Sequence, residues 1–332
     1  MDNLTHTAVA VFLSRIGPRH WSPYATAIML VGANLPDADV VSAAGGAINY
    51  IHYHRHLTHS LAALPFVALA AVGIVRLVVR KPIAWLGAYC AALLAVASHL
   101  ALDATNIYGI RLLLPFSHAW QALDITSVVD PWIVGVCALG LAAPVLANLV
   151  GSEISSGAPR SRAAGRGWAW FVIGFVSLFE VTRYTLHSRA VAALESQLYQ
   201  DGVPLRVAAL PNATNPMQWR GLVETADAVA VQEINLAGER SPGRPTVFHK
   251  PEADPVIDAA RRTPVFQQFL AFSQWPLFRV TPYPAHENAR LVEVFDLRFG
   301  TPNEPGFMVR AVVDSRMQVI ESGFTFGGFH PR

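Results

Sequence analysis

Apolar residues dominate the first half of the chain in long unbroken runs, then give way to alternation. Leu61–Val79 is apolar except for Arg76 and is closed by Arg80-Lys81-Pro82. Ile83–Leu102, Pro131–Val150 and Trp168–Leu186 are three further runs, each near the roughly 20 residues that a helix needs to cross a hydrocarbon core. Pro131 sits in the favoured first turn of its run, and Trp168 and Trp170 suit an interfacial belt. Leu4–Ile16 and Tyr24–Leu35 are apolar but short of a span, and read as half-buried or tilted helices joined by the turn Gly17-Pro18-Arg19-His20. Pro36 should end the second and leave Asp37 and Asp39 on a loop.

After Leu194 the pattern changes. Trp219–Thr225, Ala228–Leu236, Leu277–Pro282, Leu291–Phe299, Met308–Asp314 and Gln318–Phe326 alternate as half-buried antiparallel strands do. Pro255–Ser273 reads as one amphipathic helix. The predicted fold is an N-terminal all-α multi-pass membrane helical bundle over residues 1–194, with a small C-terminal α+β domain of antiparallel strands over 195–332. The Gly-, Ser- and Arg-rich stretch Gly151–Gly167 is the predicted cytoplasmic linker within the first.

Composition agrees. Only 14% of the 332 residues are charged and 52% are hydrophobic, against about 25% charged in an ordinary soluble domain. The net charge of +2 carries no basic stripe, so nucleic acid is not an expected partner. Cys90 and Cys137 lie in apolar runs with no Cys-x-x-Cys spacing, which argues against disulfide or thiolate-metal roles. The N-terminus lacks a basic n-region and a cleavage site, so a mature chain starting near Met1 is expected. Following the spans, one side of the membrane collects Arg15, Arg19, Arg76, Arg80, Lys81, Arg160, Arg162 and Arg166; the short loops of the other hold only Arg55 and Arg111. The positive-inside rule makes the first side cytoplasmic. His6, Asp37, Asp39, His59, His99, Asp103 and the C-terminal domain then share the extracytoplasmic side.

The chemistry gathers in those residues. His99 and Asp103 are four apart in a predicted span, so they stack on one helix face. An ionisable pair at that depth costs several kcal/mol unless compensated. The bland reading is a hydrogen-bonded pair tying helices together; the functional one is a His-x-x-x-Asp metal pair, and imidazole with carboxylate suits zinc, manganese or iron. His59, in Thr58-His59-Ser60, follows His52, His54 and His56. Four histidines in eight residues also fit a pH-sensitive turn, and alternate residues of an extended segment cannot all face one point. Asp37 and Asp39 fit a helix-terminating turn or carboxylates that bridge metals. Asp130, before Pro131, reads as a helix cap with a ligand role as the minor alternative, and Asp124 lies on the same side. His187, His249, His286 and His330 have no ligand spacing. No nucleophile elbow, P-loop or dinucleotide fingerprint is present.

Seven segments carry a resemblance. Met1-Asp2-Asn3-Leu4-Thr5-His6-Thr7, Asn34-Leu35-Pro36-Asp37-Ala38-Asp39, His54-Arg55-x-x-Thr58-His59-Ser60, Ser98-His99-x-x-x-Asp103, Asn106-x-Tyr108-Gly109, Leu114-Pro115-Phe116-Ser117 and Val129-Asp130-Pro131-Trp132 resemble, in that order, the YdjM-like family of bacterial inner-membrane metal-dependent hydrolases. The resemblance covers roughly residues 1–190. It implies the inner membrane and hydrolysis, and a distant similarity to zinc-dependent phospholipase C and the single-strand nucleases of that helical fold. Their ligand order falls here on His6, Asp37 or Asp39, His59, His99 and Asp103. We take Asp39 as the ligand of that pair, and Asp37, Asp39 and Arg55 as the residues acting on substrate. Those relatives hold three zinc ions; with a single His-x-x-x-Asp here, one or two divalent ions, zinc first, are expected.

The expectation is a hydrolase that uses metal-activated water on a phosphoester of lipid-like type at the outer face, with membrane lipids as partners and Arg55 gripping phosphate through its planar fork. A membrane-surface arginine is the plain alternative for Arg55. The alternative for the whole protein is a non-catalytic membrane protein with a structural metal and a partner-binding C-terminal domain. A transporter fits less well, since its ligands would lie at the midplane between repeats. The sequence names no protein partner.

Overall fold

The computed structural model describes residues 1–154, 162–200, 202–238 and 244–326. Two compact units are present. The first comprises Met1–Asp39, Arg55–Arg189 and Pro211–Gln218; the second comprises Val40–His54, Ala190–Leu210 and Trp219–Arg332.

Seven helices make up the N-terminal half: α1 (Asn3–Ile16), α2 (Ala25–Asn34), α3 (Ala47–Tyr53), α4 (Leu64–Val79), α5 (Trp85–Thr105), α6 (Pro131–Ile154) and α7 (Arg162–Glu195). The Asp2 carboxylate caps α1, accepting from the Thr5 N–H at 3.0 Å. As read from the sequence, Asp130 caps α6: its Oδ1 accepts from the N–H groups of Trp132 and Ile133. Small residues let the first unit's helices approach closely. Ala10, Ala25, Met29, Ala33, Ala91 and Ala95 join α1, α2 and α5, while Ile28, Ala68, Val72, Ala88, Ala92 and Val96 join α2, α4 and α5. On the other side of α1, Phe12 packs with Ile133 and Cys137 of α6 and Ala169 and Val172 of α7. Gly140 permits that crossing, because a Cβ there would lie 2.3 Å from Val172 Cγ2.

Among the described residues, two helices are long and apolar enough to cross a membrane, α5 and Gly165–Glu195 of α7. The count reaches four if two bent pairs are each one span: Ala25–Asn34 with Pro36–Gly45, bent by 41°, and Ala47–His59 with Leu64–Val79, bent by 90°. Of the four predicted runs, Ile83–Leu102 and Trp168–Leu186 thus form candidate spans. Leu61–Val79 shortens to α4, because Ser60 holds a tight turn: its hydroxyl donates to the Leu57 carbonyl and accepts from the Ala63 N–H. Pro131–Val150 falls within α6, which carries Pro144 inside it.

Pro36 breaks α2 but does not open a loop. A 3-10 helix runs from Pro36 to Gly45, because the fixed φ of proline suits the first position of a new helix. Of the predicted linker Gly151–Gly167, residues 155–161 lie outside the described residues, as does Arg160. Residues 151–154 continue α6 and 162–167 open α7.

The second unit carries two four-stranded sheets in simple meander order. The first is β1 (Arg206–Pro211), β2 (Gln218–Glu224), β3 (Ala228–Asn235) and β4 (Thr246–His249); the second is β5 (Pro276–Pro282), β6 (Arg290–Asp296), β7 (Phe307–Val313) and β8 (Val319–Phe326). Strands β3 and β4, and β5 through β8, pair antiparallel, with Val280 opposite Val292 and Val294 opposite Val309. The predicted helix Pro255–Ser273 divides into α8 (Pro255–Arg261) and α9 (Pro264–Phe272). Pro264 cannot continue the first, and the Thr263 hydroxyl starts the second by accepting from the Phe266 N–H. Phe272 of α9 lies against Phe299 and Phe307, and Phe269 against Phe324. Within this core Arg298 forms a buried pair with Asp296 and donates to the Phe272 carbonyl. His330 lies outside the described residues.

Candidate metal centre

Four segments of the first unit deliver polar side chains to one buried point. The end of α5 supplies His99 and Asp103 from one helix face, and both side chains are fully buried. The 3-10 turn Leu57–His59 brings in His59, also 0% exposed. The 3-10 helix after Pro36 brings Asp37, and α1 brings His6.

Four donor atoms converge: Nε2 of His59, Nε2 of His99, an Asp37 oxygen and an Asp103 oxygen. His59 Nε2 lies 3.1 Å from His99 Nε2, 3.3 Å from Asp37 Oδ1 and 3.4 Å from Asp103 Oδ2. His99 Nε2 lies 3.3 Å from Asp103 Oδ2 and 3.8 Å from Asp37 Oδ1. A tetrahedral ion with bonds of about 2.0–2.1 Å has donor–donor edges of about 3.3 Å. Four of these five distances therefore lie close to the spacing that such an ion needs, and the fifth, His99 to Asp37, is longer.

The protons strengthen the case. His99 Nδ1 donates to the Ala33 carbonyl at 2.7 Å, which leaves a lone pair on the Nε2 of the neutral ring. His59 Nδ1 sits 3.3 Å from Asp39 Oδ2 and 3.1 Å from the Thr58 hydroxyl. Asp39 Oδ2 also accepts the Arg55 N–H and the Thr58 hydroxyl, at 2.9 and 3.0 Å, so it is the natural acceptor for a His59 Nδ1 proton. Both Nε2 atoms then present lone pairs to each other and to two carboxylates. Such a ring of electron-pair donors is repulsive when dry and favourable around a cation. Imidazoles fixed through Nδ1 by a carboxylate or a carbonyl are the usual support of metal-bound histidine.

Asp103 is held from behind. Its Oδ1 meets Arg55 Nη2 at 3.0 Å, Asn106 Nδ2 at 3.4 Å, His6 Nε2 at 3.4 Å and the Met1 amino group. Oδ2 is left for the centre. Arg55 takes a left-handed backbone conformation (φ 58°), unusual for a residue with a Cβ. That conformation sends its N–H to Asp39 while the guanidinium, over the Tyr108 ring, reaches Asp103 and the Asn106 amide oxygen. Three carboxylates face one guanidinium and one amino group, so the pocket retains an excess of negative charge suited to a cation.

His6 stacks on His99 with ring centroids 3.9 Å apart. Its two ring nitrogens are buried with no hydrogen-bond partner among the described residues. Burial, then the neighbouring His99, pushes its pKa well below the usual imidazole value, so it is a neutral donor beside the cluster. Buried ring nitrogens without a hydrogen bond, beside a ready donor set, suit a cation. The residues fit a divalent metal.

Of the sequence-predicted residues, His59, His99 and Asp103 meet with Asp37, and His6 adjoins them. Asp39 turns to His59 Nδ1, and Arg55 lies engaged behind Asp103. Of the preceding histidines, His54 stacks on Tyr50 and His52 lies edge-on to Tyr53. Sequence reading assigned no role to Asn106, Thr58 or the Ala33 carbonyl. The first two stand in the quoted motifs, whereas a backbone acceptor leaves no sequence signal.

The model of the YdjM inner membrane protein family matches residues 1–190, which hold every side chain of the centre. The chain belongs to the YdjM inner membrane protein family. Membership, together with the candidate spans, supports a membrane location. This YdjM-family chain is also similar to the uncharacterized protein YfhP of Bacillus subtilis (strain 168), at 26% identity over 321 residues, covering 90% of this chain and 87% of that protein. The likeness therefore extends into the C-terminal half. No solved structure matches.

Asn in place of Asp39 should lower metal affinity about 10–100-fold without removing a donor, since it weakens the acceptor that His59 Nδ1 shares with the Arg55 N–H and the Thr58 hydroxyl. Titration of the chelator-stripped variant with zinc checks this; unchanged affinity would show that Asp39 does not support the centre.

Proposed function

We propose that this protein is a multi-pass inner-membrane hydrolase that cleaves a phosphoester of a lipid-like substrate at the extracytoplasmic face, using a divalent metal, zinc first. One observation carries the reading: the fully buried His59–His99–Asp103 trio whose donor atoms share one point with Asp37. When bound, a divalent cation supplies Lewis acidity and lowers the pKa of water to about 7 in favourable sites. His59, His99 and Asp103 would hold it, and three protein donors are the number catalytic zinc sites use.

Asp37 differs from the trio. It keeps slight exposure and lies 3.8 Å from His99, farther than His59 or Asp103 does. We assign it the proton of the attacking water. Asp39 keeps His59 in the Nε2-presenting tautomer, and Ala33 does so for His99. Arg55 and Asn106 fix Asp103 and balance part of its charge. The lipid-like substrate is argued from location alone, because a membrane-edge site is reached most readily by what already lies there. The extracytoplasmic side follows from the basic residues gathered opposite the site.

A second reading is favoured by the closure of the site. If Asp37 is a fourth ligand, the tetrahedron is complete, and a structural metal in a non-catalytic membrane protein results. Metal-loaded protein assayed on phospholipids, nucleotides and polyprenyl phosphates, beside Asp103→Ala, separates the two. The hydrolase reading expects release of phosphate or phosphoalcohol that the variant lacks. No turnover on any class would favour the structural metal.

A further inference from the structure

The segment between α5 and α6 contains a turn, Leu112-Leu113-Leu114-Pro115-Phe116-Ser117, that carries no charge. Leu114 is buried, yet Phe116 is 90% exposed and Leu113 is exposed beside it. A phenylalanine held out of a core in this way ordinarily belongs on a mobile tip. This tip is tied down. The Phe116 and Ser117 N–H groups both donate to the Leu113 carbonyl, Leu114 N–H donates to Arg111, and Leu112 N–H donates to the Gln121 side chain. The Leu112 carbonyl in turn accepts the Leu61 N–H.

That last bond joins the turn to the segment that carries the metal centre. Leu57 and Leu61 are exposed there, two residues on either side of the buried His59. The Arg55 carbonyl accepts the Arg111 N–H, a second tie between the turn and that segment. Leu57, Leu61, Leu113 and Phe116 thus form an apolar rim over the cluster, with backbone polar groups largely satisfied inside the protein. Satisfied backbone is the condition for a non-helical segment to enter an apolar phase.

We propose that this rim is seated in the lipid bilayer, so that the turn lies in the headgroup and acyl boundary instead of in water. Continuity selects lipid as the occupant. The segment leaves the end of candidate span α5 at Thr105 and enters α6 at Pro131, where Trp132 is exposed at the first turn. Aromatic residues at that level are the usual mark of a membrane interface. The metal centre then opens beside lipid headgroups. The proposal does not require hydrolysis, since a structural metal would leave the rim unchanged.

A nitroxide at Phe116→Cys, in full-length protein with Cys90→Ala and Cys137→Ala, tests it in vesicles of phosphatidylethanolamine and phosphatidylglycerol. Arg316→Cys, an exposed position of the second unit, is the reference. The expected result is a ratio of oxygen to water-soluble nickel-chelate accessibility several-fold above the reference. A ratio equal to the reference would place the turn in water and overturn the proposal. Protection from both reagents would also overturn it, by showing a second copy or another protein on the rim. Metal content equal to the parent's confirms that the labelled protein is folded at the centre.

Discussion

Asp103→Ala abolishes metal binding and lowers the thermal unfolding midpoint of the detergent-solubilised protein. Two losses coincide. The Oδ2 that faces His59 and His99 at 3.4 and 3.3 Å disappears from the donor set. The buried Arg55 guanidinium also loses its 3.0 Å carboxylate partner. Removing one member of a buried ion pair typically costs about 3–5 kcal/mol, because the remaining charge stays desolvated. Asp103→Asn separates the effects: it keeps the shape and the polar contact to Arg55 but presents a weaker donor to the cation. The alanine variant should therefore be less stable than the asparagine variant, while both lose metal. An alanine variant as stable as wild type would show that Arg55 does not depend on Asp103.

Asp37→Asn keeps the metal and loses turnover. The trio of His59, His99 and Asp103 does not need Asp37 to hold an ion, whereas an amide cannot take a proton from water. Loss of a general base typically costs about 10²–10⁴ in rate. Metal content and turnover are measured on the same preparation. If Asp37→Asn comes out metal-free, Asp37 is a ligand, the tetrahedron is closed, and the structural-metal reading prevails. The rate loss should be larger for Asp37→Asn than for Asp39→Asn, which acts from behind His59 and Arg55.

The structure shows why sequence left Asp37 and Asp39 interchangeable. Two residues apart on a loop, either could reach an ion. In the 3-10 helix that begins at Pro36, residues two apart are separated by about 240° around the axis, so the two carboxylates diverge. Asp37 meets the Nε2 atoms and Asp39 meets the opposite edge of the His59 ring. The His99–Asp103 pair was legible because a long apolar helix has one reading and the i, i+4 spacing fixes the face. Arg55 was harder to place. An arginine in a histidine-rich turn suggests solvent or phosphate, and only the left-handed backbone at that residue folds it back onto Asp103.

The same limit holds for larger elements. Pro36 marked the end of α2 but not the 3-10 helix that follows it, and Ser60 redirects the chain without changing composition, so hydropathy carried no sign of that break. In the second unit the alternating strands were readable from β2, β3 and β5 to β8. Ala-rich β1 and the four-residue β4 lack a usable alternation. Pro264 marked the division between α8 and α9, although the amphipathic pattern ran through it.

The central claim is that the His59–His99–Asp103 trio, with Asp37, holds a divalent ion. Metal content per chain, measured on detergent-purified protein prepared without chelators beside a His99→Ala/Asp103→Ala variant, tests it most directly. The account predicts near-stoichiometric zinc, manganese or iron in the wild type and none in the variant. Absence of metal from both, persisting after metal is added back, would contradict it and leave a buried histidine–aspartate cluster that only ties helices together.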